Sequence, residues 1–293
     1  MERRQFLSSL MTTGLLASRA RAEGFVRHFL QDADPDEQVC LSKFTMALER
    51  SLDTTPIGEV VAEIGKSFVG TGYVAQTLEQ PGEEQLVINL RGFDCVSFYE
   101  NSLSLARCVK KRTTTFEAFK KELQMIRYRS GVIDGYPSRL HYTSDYFYDN
   151  VAKGVVRDVT EELGGIPFTN TVSFMSSHPE AYPKLKENPA LVEIIRKQEE
   201  AINARPRLYI PKECVAGILD KVQDGDILGT TTTIEGMDVS HTGIAVRQNG
   251  QVHFMHAPLA GGAVEISKTD LAAYLMKNAK QTGIMIVRPL EPV

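Results

Sequence analysis

The residue that raises a chemical question first is Cys95, in the stretch Gly92–Glu100, GFDCVSFYE. An apolar run, QLVINL (Gln85–Leu90), precedes it and reads as a buried strand. From Cys95 to about Arg107 the sequence reads as a helix, with Phe98, Leu103 and Ala106 among its apolar positions. A thiol at that point has four uses: packing, a disulfide, a metal ligand, or nucleophilic chemistry. The thiolate is the reactive form, and the partial positive charge of a helix N-terminus favours it. The other cysteines are Cys40, Cys108 and Cys214. Their spacing forms no CxxC or knuckle pattern, which argues against a structural zinc site. If one helix carries both Cys95 and Cys108, they stand about 20 Å apart and cannot bridge each other.

Partners for the thiol are sought among the histidines. The segment HTGIAVRQNGQVHFMHAP places Asn249-Gly250 between two alternating apolar runs, a strong hairpin signal. A two-residue turn pairs Gln248 with Gln251, Val246 with His253, and Gly243 with His256. Side chains alternate with period two, so His241 and His256 share a face as diagonal neighbours, about 7–8 Å apart at the backbone. His253 falls on the opposite face. Cys95, His241 and His256 can therefore supply a nucleophile, its base or ion-pair partner, and a group that fixes the tautomer of that base. Taken singly, each has a plainer account: a cysteine among apolar residues is core, and a histidine on a strand is a satisfied or exposed side chain.

These residues need elements to hold them. TTPIGEVVAEIGKSFVG reads as a helix with Thr55 as cap, Pro56 at the first helical position and Gly70 as stop. Thr114 and Glu117 form a capping-box pattern ahead of FEAFKKELQMIRYR. A loop-rich stretch follows, SGVIDGYPSRLHYTSDYFYDN, in which Thr143 or Ser144 could cap the next helix. Asn188-Pro189 opens a helix to about Asn203. The rest is mainly strands: DILGTTT, HTGIAVR, VHFMHA, AVEIS and TGIMIVRPL. Helices carrying the cysteine, then a β half, make an α+β order. No linker stands out, so residues 23–293 read as one domain with an inserted helical region at about 110–205.

Composition is that of a globular chain, 42% hydrophobic and 24% charged, and a net charge of −4 gives no nucleic-acid footprint. The N-terminus has a basic start, an apolar run from Phe6 to Ala17 that is short for a bilayer span, and small residues at Ala20 and Ala22. This is an export signal at residues 1–22, and Arg3-Arg4-Gln5-Phe6-Leu7 looks like the twin-arginine signature. Export sets a disulfide-permissive periplasmic or secreted compartment, with no stable membrane anchor after cleavage.

FDCVSFYEN followed far downstream by DVSHTGIAV and HFMHAP resembles the NlpC-type cysteine cell-wall hydrolases. More closely, the chain resembles the N-acetylmuramoyl-L-alanine amidase-like family within that group. GTGYVAQTLE, EQLVINLRGFDCVSFYEN, YRSGVIDGYPSRLHYTSDYFYDN and GDILGTTTTIEGMDVSHTGIAV carry the likeness in the family's order. The resemblance implies a papain-like core and a peptidoglycan fragment as substrate. It implies Cys95 as nucleophile, His241 as base and His256 as third member, with no cofactor and no metal. It also implies Tyr73 near the oxyanion and Asp94 beside the nucleophile, as substrate contact or helix cap. Arg139, His141, Tyr142 and Asp145 in the family's own loop, and Ser240 next to His241, complete the expected contacts. Tyr146 stands where the family often has Trp, which puts any role for that position in doubt.

Overall fold

The computed structural model describes residues 34–293. The export signal read at residues 1–22 lies outside the described residues.

Helix α1 (Pro35–Glu49) starts at Asp34, whose carboxylate accepts the Asp36 N–H at 2.8 Å. Helix α2 (Ile57–Lys66) starts one residue later than its sequence suggests. Pro56 is the N-cap and makes no side-chain cap bond, because the Thr55 hydroxyl instead donates back to the Leu52 carbonyl. Gly70 adopts φ +89°, the left-handed conformation expected of a stop. Helix α3 (Cys95–Lys110) runs a turn beyond Arg107, and α4 (Phe116–Arg127) is capped by Thr115 rather than Thr114. Thr115 lies three residues before Ala118, whose N–H its hydroxyl accepts at 3.1 Å.

Gln85–Leu90 forms no strand. Its backbone is taken instead by side chains from α1 and from the end of α4. Leu90 N–H donates to Asp36 at 2.8 Å, Tyr128 OH donates to the Gln85 carbonyl at 2.9 Å, and Arg127 donates to the Val87 carbonyl. The segment read as loop-rich is largely buried and holds helix α5 (Thr143–Ala152), with Tyr142 at its N-cap position.

Short strands β1 (Val156–Asp158) and β2 (Ile166–Pro167) come next, then helices α6 (Phe174–Ser177), α7 (Pro183–Glu187) and α8 (Pro189–Asn203). Asn188 caps α8 by accepting the Ala190 N–H, as its Asn-Pro opening suggests. The remaining elements are β3 (Leu208–Pro211), β4 (Ile227–Thr232), β5 (Val239–Gln248), β6 (Gln251–His256), β7 (Glu265–Ile266), α9 (Leu271–Lys277) and β8 (Gln281–Pro289). They form a mixed α+β architecture around one antiparallel sheet ordered β2-β3-β8-β4-β5-β6-β7, with β1 also on β8.

The β5–β6 turn is as the sequence indicates. Asn249 and Gly250 both have positive φ, 49° and 80°, and Gln248 pairs with Gln251 and Val246 with His253. One face of the sheet, with Ile244, Val246 and Met255, packs on α2 and α3. The other, with Ala245, Phe254 and Ile286, packs on α9 and the turn at Lys212–Ile218. At Gly65 a Cβ would stand 2.4 Å from Met255 Cε, so glycine lets α2 lie close on the sheet.

Helix α3 is buried from Ser97 to Val109, polar positions included. Ser102 and Ser104 donate back to the Phe98 and Glu100 carbonyls, and Glu100 pairs with Arg127 of α4 at 2.9 Å. Satisfied in this way, the two serines and Glu100 tolerate burial. Cys40 and Cys108 are buried neighbours, and burial pushes the Cys108 thiol up to about 12. All four cysteines are free thiols.

Candidate active site

Cys95 is the first residue of α3, half-buried at the point where the helix meets β5. Asp94 precedes it as the N-cap. Its Oδ1 accepts the Val96 and Ser97 N–H groups at 3.1 and 2.7 Å, while the Asp94 N–H donates to the Ser97 hydroxyl at 3.0 Å. This reciprocal box consumes the second and third amides of the helix. The Cys95 N–H is left beside its own sulfur.

Thr242 of β5 closes the other side. Its hydroxyl donates to the Cys95 carbonyl at 2.8 Å, and the nearness of Thr242 to the sulfur favours a charge on the thiol. Burial outweighs them, and the Asp94 carboxylate adds to burial, so the thiol is pushed up to about 11. A helix N-terminus alone would have lowered it.

His241 and His256 meet across the hairpin, His241 Nε2 to His256 Nδ1 at 2.7 Å, on the diagonal that the register dictates. Gly243 makes the room. It faces His256, and a Cβ there would lie 2.9 Å from the His256 Cβ. The His256 ring stacks on Phe254 at 4.7 Å and meets Tyr274 of α9 edge-on at 5.1 Å. Burial lowers His241 to about 4; burial and then the neighbouring His241 lower His256 to about 3. His253 points to the opposite face and bonds to the Ser267 carbonyl. Thr242, not His241, is the hairpin residue bonded to Cys95, through the Cys95 carbonyl. The His241–His256 bond occupies Nε2 of His241 and leaves Nδ1 as its remaining base.

A strap from Gly70 to Val74 brings Tyr73 to this centre. Gly72 and Tyr73 pair on one side with residues 262–264 and on the other with Phe93, two residues before the thiol. Burial, then Cys95 and Asp94, raise the Tyr73 phenol, which keeps it a hydrogen-bond donor. Among the described residues no group of three His, Cys, Asp or Glu side chains is placed to hold a metal ion.

A family model described as AmiA-like, N-acetylmuramoyl-L-alanine amidase-like, matches residues 63–284, most of the chain and all the residues above. The chain belongs to this amidase-like family. Similar solved structures share its fold. An N-acetylmuramoyl-L-alanine amidase from Bacteroides uniformis is 36% identical over 80% of this chain and 98% of its own, with a TM-score of 0.76. A Bacteroides fragilis protein whose name offers a xylanase is 40% identical over 76% and 98%, with a TM-score of 0.73. A Legionella pneumophila protein at 22% identity, over 88% and 97% with a TM-score of 0.64, has the same fold. No curated protein matches the sequence.

The remaining expected contacts of this amidase-like chain separate into two groups. Arg139 and His141 line a cavity of about 240 Å³ that Asp94 and Val96 also border. Arg139 is not free for a ligand carboxylate there. It is 4% exposed and spends its donors on the Leu78 carbonyl and Glu79, with Glu84 at 3.5 Å. His141 Nε2 is bonded to the Tyr136 carbonyl. The second group lies away from that cavity. Asp145 is held between Arg129 and Arg205 at 2.6 and 2.7 Å, and Tyr142 OH donates to Glu199 at 2.7 Å. Both brace α5. Ser240 is exposed beside the bulge in β5. Tyr146 is core, edge-on to Tyr99 at 5.3 Å.

Sequence reasoning missed Thr242, although it lies in the same motif as His241. It also missed Phe254 and Tyr274, since nothing in their spacing marks aromatic rings as walls for an imidazole.

Proposed function

We propose that the protein is a cysteine-dependent N-acetylmuramoyl-L-alanine amidase with a papain-like core of NlpC type, cutting the bond between the muramic lactyl group and L-Ala in peptidoglycan fragments. Small muropeptides, including those with an anhydro-muramic end, are the substrate class. The observation that carries the reading is the Cys95 thiol at the head of α3, held by Thr242, one residue from the hydrogen-bonded His241–His256 pair.

With the thiol high and both imidazoles low, the resting pair is neutral, so His241 works as a general base. Its Nδ1 takes the thiol proton as sulfur attacks the lactyl carbonyl. The oxyanion accepts from the Cys95 N–H and the Tyr73 hydroxyl. His241 then returns the proton to the L-Ala nitrogen as the C–N bond breaks. Water, activated by the same imidazole, hydrolyses the thioester to release the lactyl carboxylate. A glycosidase would instead need a carboxylic acid pair flanking the bond, whereas the centre of this site is a thiol and two imidazoles. A leader that resembles the twin-arginine signature supports a periplasmic or secreted setting for this work.

Mass spectrometry of a defined disaccharide-tetrapeptide after incubation tests the bond. Release of a tetrapeptide beginning with L-Ala supports the amidase. A sugar left carrying a dipeptide would make the protein a D-Glu–diamino acid endopeptidase. Cys95→Ala is expected to release neither product, and full turnover by that variant sinks the mechanism.

A further inference from the structure

His256 leaves one problem that the catalytic reading does not solve. Its Nδ1 is bonded to His241, while its Nε2 is buried without a hydrogen-bond partner. Proton bookkeeping makes that nitrogen matter. For Nδ1 of neutral His241 to accept the thiol proton, His241 must carry its own proton on Nε2. That proton is then donated to His256 Nδ1, which acts as acceptor. Neutral His256 must in turn carry its proton on Nε2, the atom without a partner. In the opposite arrangement His256 donates through Nδ1, His241 is protonated at Nδ1, and the base is lost. Without an acceptor beside Nε2 nothing holds the proton there, and the wrong arrangement competes.

One carboxylate is placed to reverse this. Glu265 of β7 is the register partner of His256, and its Oε1 stands 3.9 Å from His256 Nε2. The other oxygen of Glu265 lies against Gly261, where a Cβ would come within 3.1 Å of it. The Glu265 side chain is 50% exposed, so its torsions are free to bring the oxygen about 1 Å closer, into hydrogen-bond range. We propose that Glu265 is a positioning residue: by accepting a hydrogen bond from His256 Nε2–H it fixes the tautomers of His256 and His241 in turn, and so makes His241 Nδ1 the base for Cys95. The low-lying His256 is neutral at ordinary pH, so this is a hydrogen bond to a carboxylate rather than a resting ion pair. When His241 gains the thiol proton, the same carboxylate stabilises the new positive charge through the chain.

The titratable groups facing this chain are His241 on β5, Glu265 on β7 and Tyr274 on α9. At the far end are Cys95, Asp94 and Tyr99 around the head of α3, and Tyr73 on the strap. Of these, Glu265 alone puts a carboxylate on the open side of His256.

The inference rests on the Cys95–His241 reading, and two of its measurements need no substrate. Nitrogen-15 NMR of histidine-labelled full-chain protein at pH 7 is expected to show both His241 and His256 protonated at Nε2. In Glu265→Ala the two are expected to change to Nδ1–H or to a mixture. With muropeptide, kcat should fall at least tenfold at unchanged KM. Glu265→Gln keeps an acceptor without the charge. It should hold the Nε2–H tautomers, recover part of kcat, and lower the pH at which the histidine pair titrates. Wild-type tautomers in Glu265→Ala overturn the proposal, as does a wild-type titration midpoint in Glu265→Gln. Failure of the amidase reading looks different: Cys95→Ala would keep turnover while the tautomers still follow Glu265.

Discussion

At the scale of single residues, the site is built so that no charge rests on the thiol or on the two imidazoles. The thiol is raised and both imidazoles are lowered, each chiefly by burial. A preformed thiolate–imidazolium pair would give a reactive plateau at neutral pH. Here the rate of Cys95 alkylation by iodoacetamide should instead rise about tenfold per pH unit from 7 to 10, without a plateau, since thiolate stays scarce below about 11. Thr242 is the group that opposes the rise. Thr242→Val removes the hydroxyl that bonds the Cys95 carbonyl and favours a charged thiol, so alkylation at pH 8 should slow roughly three- to tenfold. A plateau below pH 8, or an unchanged rate in the variant, would contradict this account.

At the scale of elements, α3 and the β5–β6 hairpin carry the site, and they differ in how openly the sequence declares them. The hairpin is declared by two residues: Asn249-Gly250 fixes the register, and register alone puts His241 beside His256 and sends His253 away. Helix α3 is declared by its start. Asp94 is a cap with its reciprocal Ser97 partner, and Asp94→Ala should cost about 1 kcal/mol, read as a lowered denaturation midpoint, besides loosening the thiol. What the sequence could not declare was contact between distant segments. QLVINL has the composition of a strand, but its hydrogen bonds go to Asp36, Arg127 and Tyr128, which no local pattern predicts. The family resemblance, and the dense polar and aromatic set they form with His141 and Tyr142, point to Arg139 and Asp145 as substrate contacts. Their partners, Glu79 and Glu84 for one, Arg129 and Arg205 for the other, lie far along the chain or on neighbouring turns, and they convert these charges into braces.

At the scale of the whole molecule, three histidines are held low by burial: His141 and His256 at about 3, and His241 at about 4. The unfolded chain has ordinary histidines near 6.5 and so binds more protons than the folded one between about pH 4 and 6.5. Stability is therefore full above about 6.5 and is lost as pH falls toward the folded values, by at most about 1.4 kcal/mol per pH unit for each histidine. Urea midpoints measured from pH 7.5 to 4.5 should decline from about 6.5 downward, and a flat profile would contradict it. The sheet order carries a further consequence, for synthesis. Strand β8 follows every other strand in the chain yet lies between β3 and β4, joining them. A nascent chain stopped after residue 280 holds two half-sheets with open edges and no seam between them. Such a chain should be insoluble or bound by chaperones and should show no protected amides in β4, a result checked by expressing the truncation. The strands that carry the imidazoles are thus made early and locked late, and the hydrolase stays unfinished on the ribosome until the seam arrives.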